Sequence, residues 1–305
     1  MKMKNAKPAP RKIKVNRQDR LFLSLCTGIL AIALLIVLLP VLNIISSAFS
    51  NPISVAAGKV WLWPVDFSLE SFKNVLKFNT VWIGYRNTIF YTVFGTTMNV
   101  AITLCCAYPL AQKSFSGRKF MSKMLLITMI FSGGMVPNYL LVKQLKLLNT
   151  FWSVLLPGLM SAYNVIITRT YIETNISGEL AEAAQIDGCS PFQFFFRFVL
   201  PLSKSIIAII TMYYAVGHWN AYFNAFLYLN DNKLYPLQLF LRDILLNSKL
   251  DSSAFDDPEM AMMMQSQAES LKYAIIVIAT APLMCVYPLV QKHFVKGVML
   301  GSVKG

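Results

Sequence analysis

The side chains of this sequence that could do chemistry are few, and their spacing excludes more than it permits. Imidazole is supplied only by His218 and His293, and thiol by Cys26, Cys105, Cys106, Cys189 and Cys285. No C-x-x-C or Cys/His spacing joins them, so a metal site of the usual His/Cys kind cannot be assembled. Four of the cysteines lie in apolar runs and read as small core hydrophobes. There is no H-E-x-x-H and no G-x-S-x-G, and Gly58-Lys59 continues with Val60 with no upstream glycine at phosphate-loop spacing. No catalytic residue is therefore assigned, and no cofactor is expected in this chain. If it moves a solute uphill, the energy enters through a partner.

One stretch is dense in ordered signals. From Asn175 to Gly188 it reads Asn-Ile-Ser-Gly-Glu-Leu-Ala-Glu-Ala-Ala-Gln-Ile-Asp-Gly, and from Cys189 to Pro201 Cys-Ser-Pro-Phe-Gln-Phe-Phe-Phe-Arg-Phe-Val-Leu-Pro. Ser177 can cap a first short helix, Glu179 sits near its positive end, and Gly188 offers a left-handed stop. Ser190 can cap a second, with Pro191 at the first helical position and Gln193 completing a capping box. Phe192, Phe195, Phe196 and Val199 then predict one apolar stripe that Pro201 ends. On pattern alone this is equally a helical hairpin resting on a lipid interface.

The elements that must position this stretch are membrane helices. Of 305 residues 56% are apolar and only 14% charged, far from the quarter expected of a soluble domain. Six runs, uncharged but for Arg169 close to the inner end of the fourth, approach the length of a span: 21–45, 87–111 (interrupted by Gly95 and Asn99), 124–141, 151–171, 206–229 and 273–290. The first is too long for a signal peptide core and reads as a retained anchor. With the amino terminus inside, the inner segments carry 18 of the 28 basic residues against five acids, as the positive-inside rule requires. Positive-inside bias and anionic membrane lipid explain this basic surface, and no nucleic-acid partner is expected.

The expected organisation is a basic cytoplasmic tail (1–20), the first span (21–45), an outer loop (46–86) and a membrane core (87–291), ending in a cytoplasmic tail (292–305). The core includes an inner loop at 172–203 and an outer loop at 230–272. The spans hold essentially no Asp, Glu, Lys or Arg, which argues against a proton- or sodium-coupled carrier. Ser132-Gly133-Gly134-Met135-Val136-Pro137-Asn138 should break the third span, which membrane depth tolerates only beside protein or a watery cavity.

Glu182-Ala183-Ala184, three residues, Gly188, nine residues, Phe198, one residue, Leu200-Pro201 resembles the E-A-A loop of permease subunits in ATP-binding-cassette importers. It departs at Phe198, where that family usually has an aliphatic residue. Leu62-Trp63-Pro64 with Ser68-Leu69, Trp219-Asn220 and the ending Gly301-Ser302-Val303-Lys304-Gly305 are similar to maltose-type carbohydrate permeases. The segment from Trp219 to Asp243 looks most like the branch for complex or acidic oligosaccharides. The resemblance implies an all-α type I importer permease with both termini inside.

It further implies a second permease, a dimer of ATPase subunits that binds the ATP and Mg, an extracellular solute-binding protein and an oligosaccharide cargo. Glu182, Ala183, Ala184, Asp187, Gly188, Ser190, Leu200 and Pro201 would couple to the ATPase. Ala183 and Ala184 would permit close approach, and Glu182 would offer a carboxylate. The last five residues would reach between the ATPase subunits.

A substrate path is sought in the fifth span. At 100° per residue Trp219, Tyr222, Phe223 and Phe226 would share a face, with Asn220 and Asn224 beside them, as sugar rings and hydroxyls would suit. Interfacial aromatic belts and interhelical amides use the same residues. The outer loop is expected to be helical around Leu237 to Leu246 and to carry Asp251, Asp256, Asp257 and Glu259 toward a binding protein or simply solvent. A permease for another solute, a stand-alone carrier or channel and, remotely, a membrane enzyme remain as rivals.

Overall fold

The structure is a computed structural model that describes residues 16–247 and 258–302. Among the described residues all regular structure is helical. The first helix, α1 (Arg17–Ala48), is about 48 Å long at 1.5 Å per residue, more than a hydrocarbon core requires. Its apolar residues from Leu21 to Leu39 are exposed along most of its length, which is what lipid rather than water selects. Its outer end is tied down. Ser46 Oγ donates to the Leu62 carbonyl at 2.6 Å and Asn43 Nδ2 to that of Trp61 at 2.8 Å, over the short helix α2 (Pro52–Ala56).

After α3 (Glu70–Lys77) comes the central helix, α4 (Asn79–Ala111). Next are α5 (Arg118–Ile130) and α6 (Met135–Gln144), which form one span bent by 116° at the Ser-Gly-Gly stretch where the sequence predicts a break. Helix α7 (Phe151–Leu155), a 3₁₀ turn (Leu156–Gly158) and α8 (Ala162–Asn175) make a second bent span, of 50°. Among the described residues three helices are thus long and apolar enough to cross a membrane, or up to six if each bent pair is one span.

The inner loop forms α9 (Gly178–Ile186), α10 (Pro191–Phe194), a π-turn (Phe195–Val199) and α11 (Leu200–Leu202). An 80° bend at Ser203 leads into α12 (Lys204–Asn220), followed by α13 (Phe223–Tyr228), α14 (Leu237–Asn247) and α15 (Pro258–Ser302). Helix α14 lies where the outer loop was expected to be helical.

Two spans are longer than hydropathy alone marks them. Helix α4 starts at Asn79 rather than 87, so Arg86 is helical, and α15 starts at Pro258 rather than 273. A hydropathy window sees the lipid-matched part of a helix and stops at charges such as Arg86, Glu269 and Lys272, which sit on helical extensions beyond it. Asp251, Asp256 and Asp257, expected in the outer loop, lie outside the described residues.

Helix α4 is the axis of the fold, and its unlike ends explain its composition. At the inner end Leu104, Ala107 and Leu110 join Val165, Ile172, Ala184, Phe194, Phe195, Val199, Ile206 and Ile210 in the main buried cluster. At the outer end Val81 packs with Val75, Leu237, Ala274 and Ile275. Gly84 allows α14 to approach, since a Cβ there would lie 3.0 Å from the Leu237 Cα.

Candidate functional site

The inner loop is built as a hairpin whose turns are fixed by local chemistry. Ser177 Oγ accepts from the Leu180 N–H at 3.3 Å and opens α9, with Glu179 in the first turn. At its end the Gly188 N–H reaches the Gln185 carbonyl (3.0 Å) and the Cys189 N–H that of Ala184 (2.9 Å). This is a Schellman closure, and Gly188 holds its left-handed position at φ 78°. Helix α10 opens on the predicted capping box: Ser190 Oγ accepts from the Gln193 N–H at 3.3 Å while Gln193 Oε1 accepts from the Ser190 N–H at 3.0 Å.

The two faces of α9 differ. Leu180, Ala181 and Ala184 turn inward onto the main cluster. Glu182, Ala183, Ile186, Asp187 and Gly188 are exposed, Ile186 to 86%. The pair Ala183 and Ala184 is thereby divided: Ala183 is available to a partner, whereas Ala184, 7% exposed, is a packing residue and corrects the expectation that both permit close approach. Ile186 carries the most exposed large apolar side chain of this hairpin. It was missed because an aliphatic residue among helix formers reads as core. Glu182 has no hydrogen bond or ion pair among the described residues.

The second half of the hairpin departs from the predicted stripe. Phe194, Phe195 and Val199 are buried, while Phe192 and Phe196 are exposed and pack on each other at 4.7 Å. A π-turn over 195–199 widens the repeat beyond 3.6 residues and rotates the side chains after it, while ahead of it the main cluster takes Phe194 in place of Phe192. Pro201 has no N–H for the Arg197 carbonyl and would crowd it, and a widened turn relieves that conflict. Pro201 is itself helical and exposed, and the helix ends after Leu202 rather than at the proline. Leu200 packs on the main cluster. Phe198, the departure from the family pattern, stacks on Phe194 at 5.3 Å and fills the same core.

The hairpin is fastened to the membrane helices at several points. The Tyr108 hydroxyl at the end of α4 donates to the Pro191 carbonyl at 3.0 Å, and its ring packs on Phe195. Beside it, Arg118 of α5 and Arg169 of α8 both reach Glu173 Oε1 of α8, at 2.5 and 2.9 Å, which ties α5 to α8 rather than to the hairpin itself. Through the buried cluster that Leu180, Ala181 and Ala184 share with α4, α8 and α12, and with Leu125 of α5, a displacement of α9 bears on these helices together.

Within the bundle a polar seam runs from α4 to the broken helix α7–α8 and to α12. Asn99 Nδ2 donates to the Gly158 and Leu159 carbonyls at 2.7 and 2.9 Å, which the helix break leaves without α-helical donors. Asn99 Oδ1 is 2.9 Å from His218 Nε2, so the network places the imidazole proton on that nitrogen. Gly95 makes room: a Cβ would lie 2.7 Å from the His218 ring. Tyr214 links Thr103 (2.8 Å) to the Ser161 N–H (3.2 Å). Sequence reading noted Gly95 and Asn99 only as interruptions, because their partners lie some 60 to 120 positions away.

The predicted aromatic face of the fifth span does not form, because the helix breaks at Ala221 and Tyr222. Asn220 Nδ2 takes the Val216 carbonyl at 2.9 Å, in competition with the backbone. Trp219 is 9% exposed and its Nε1 donates to the Ala279 carbonyl at 3.0 Å. Pro282 deprives the neighbouring Ile278 carbonyl of its donor, and the Tyr85 hydroxyl takes it. Trp219 thus packs helices together and does not present the ring face expected of it. Tyr222, Phe223 and Phe226 are exposed and Asn224 half-buried, with the Arg242 guanidinium 4.1 Å above the Phe226 ring.

Of the expected tail contacts, Gly301 and Ser302 close α15 and Val303, Lys304 and Gly305 lie outside the described residues. No group of three or more His, Cys, Asp or Glu suited to a metal occurs among the described residues.

Comparison with known proteins agrees with this architecture over nearly its whole length. Protein LplC of Bacillus subtilis (strain 168) is 41% identical over 270 residues, covering 88% of this chain and 90% of its own. The polygalacturonan/rhamnogalacturonan transport system permease protein YtcP of the same organism is 39% identical over 288 residues, 94% of this chain and 100% of its own. A crystal structure of a bacterial ABC transporter involved in the import of the acidic polysaccharide alginate contains a chain that superposes with a TM-score of 0.84 at 33% identity. The match covers 93% of this chain and 100% of that one, and shows the type I importer permease fold. Residues 14–300 match a single family, and on that match and these identities the chain belongs to the binding-protein-dependent transport system inner membrane components.

Proposed function

We propose that this permease subunit works in an ATP-driven importer of oligosaccharides, pairing with a second permease and two ATPase subunits and receiving cargo from an extracellular binding protein. The observation that carries the coupling role is the division of α9. Its inner face packs into the buried cluster at the bases of four membrane helices, and its outer face leaves Glu182, Ala183 and Ile186 exposed. A small residue between a carboxylate and an aliphatic anchor suits a cleft with a basic wall and an apolar floor. Closure of an ATPase dimer, which would hold the ATP and Mg, would push α9 and through it α4, α5, α8 and α12. Its loop lies on the side rich in Lys and Arg, which supports reading this face as cytoplasmic and the chain as a plasma-membrane protein of a bacterial-type cell.

The cargo is best read as an oligosaccharide bearing uronates, in keeping with the names of YtcP and of the alginate importer. The exposed Tyr222, Phe223 and Phe226, beside Asn224 and the cation of Arg242, offer ring faces, an amide and a positive charge at the outer end. Arg242 also pairs with Asp243 at 3.3 Å, which tempers its charge. The test is uptake of labelled oligogalacturonate by cells carrying Glu182→Lys. The variant should insert at normal levels and lose uptake, and normal uptake would refute the coupling role.

A further inference from the structure

On the inner side, away from α9's exposed face, Lys113, Ser116, Arg118, Lys119, Ser122 and Arg169 line a cavity of about 590 Å³ between the start of α5 and α8. The proposed coupling role does not use it. Four cations face one carboxylate, Glu173, which engages only the two arginines. Arg169 is fixed further by Nη1 donating to Ser122 Oγ at 2.8 Å. The arginines are thus held in the wall as a preformed fork, whereas Lys113 and Lys119 have no carboxylate within 4 Å among the described residues. No side chain caps the amino end of α5, whose Arg118 N–H bonds the Phe115 carbonyl at 3.1 Å, and the positive end of that helix lies beside the same basic wall.

Such a site takes a tetrahedral oxyanion, and its surroundings say which. Leu126 and Met129 continue the stripe of Ser122 at i+4 and i+7 toward the membrane, and both are exposed. Phe120 and Met121 flank the site and are exposed as well, and α5 has no buried residue. A charged headgroup cavity therefore opens onto an apolar track at the depth of the inner leaflet. We propose that this cavity binds the phosphate of an anionic phospholipid, phosphatidylglycerol or its dimer cardiolipin, with an acyl chain lying along Leu126 and Met129. The lipid would pin α5 to α8 and so stiffen the base on which α9 rests. The proposal rests on the membrane topology above and not on the identity of the cargo.

The test is native mass spectrometry of the detergent-purified importer complex, titrated with phosphatidylglycerol, phosphatidylcholine or inorganic phosphate. Wild type should retain phosphatidylglycerol in preference to phosphatidylcholine. The double variant Lys113→Gln/Lys119→Gln should retain it about 30-fold less, at the usual worth of two basic residues near an anionic headgroup. Lys73→Gln/Lys77→Gln, on the outer helix α3, serves as the control and should leave retention unchanged. Equal retention by wild type and the inner double variant, or none by wild type, overturns the proposal. Inorganic phosphate that displaces phosphatidylglycerol at equal concentration overturns the lipid assignment in favour of a free-anion site. A second permease chain found cross-linked through Lys113 or Lys119, with no lipid bound, assigns the cavity to subunit contact instead. Each of these outcomes is independent of whether Glu182→Lys abolishes uptake.

Discussion

At the scale of the residue, Asn99 shows how a polar side chain inside this bundle answers backbone groups that a broken helix leaves open. Asn99 serves three partners at once: two carbonyls at the Gly158 break and the imidazole of His218. Asn99→Ala would strand all three in a poorly solvated interior. At roughly 0.6–2 kcal/mol per interhelical bond, the loss should be about 2–4 kcal/mol. Thermal unfolding in nanodiscs would show it as a lowered midpoint, against an unchanged one for Thr97→Ala, whose hydroxyl bonds only to its own helix. These roles were not legible in the sequence, because a lone Asn or His in an apolar run says nothing of which distant carbonyl it meets. Ile186 was hidden for the opposite reason, since its type suggests burial and only the packing of Leu180 and Ala184 turns it outward.

At the scale of the element, the inner hairpin shows what local chemistry can and cannot specify. The Ser177 cap, the Gly188 turn and the Ser190–Gln193 box were all readable, because each is closed by atoms within a few residues. The stripe through Phe192 and Phe196 was not, because it presumes one regular 3.6-residue helix, whereas the main cluster takes Phe194 in place of Phe192 and a wide turn begins at Phe195. The supposed aromatic face from Trp219 to Phe226 failed likewise, at a helix break that periodicity does not see. The turn at Gly188 makes a graded prediction. Gly188→Ala meets open space but keeps an unfavourable positive φ, costing about 1–2 kcal/mol, and should slow uptake without abolishing it. Gly188→Pro fixes φ near −65° and deletes the N–H that bonds Gln185, so uptake should vanish while membrane insertion persists. Radiolabelled sugar uptake normalised to membrane-inserted protein separates the two.

At the scale of the whole molecule, α4 divides the protein into an outer end that holds α14 and an inner end that holds the hairpin. Composition and charge made this bipolar plan legible: six apolar runs, with basic residues gathered on alternate connections, leave little freedom in topology. The bends within three of the six spans could be read only at Ser132 to Gly134, where glycines mark one of them. The topology predicts opposite chemical access. In a cysteine-free background, Ala183→Cys should react with a membrane-impermeant maleimide only in inside-out vesicles, and Trp61→Cys only in right-side-out ones. Labelling of both from one side would invert or collapse the assignment.

The central claim is that the exposed face of α9 transmits ATPase closure to the membrane helices, and Ile186→Asp addresses it most directly because that side chain is 86% exposed. The decisive measurement is ATP turnover by the purified importer complex in nanodiscs, with and without sugar-loaded binding protein, for wild type and this variant. The account predicts that the wild-type complex is stimulated severalfold while the variant, with its own fold intact, shows no stimulation. Equal stimulation of both would contradict it and return α9 to a hairpin that merely rests on the membrane.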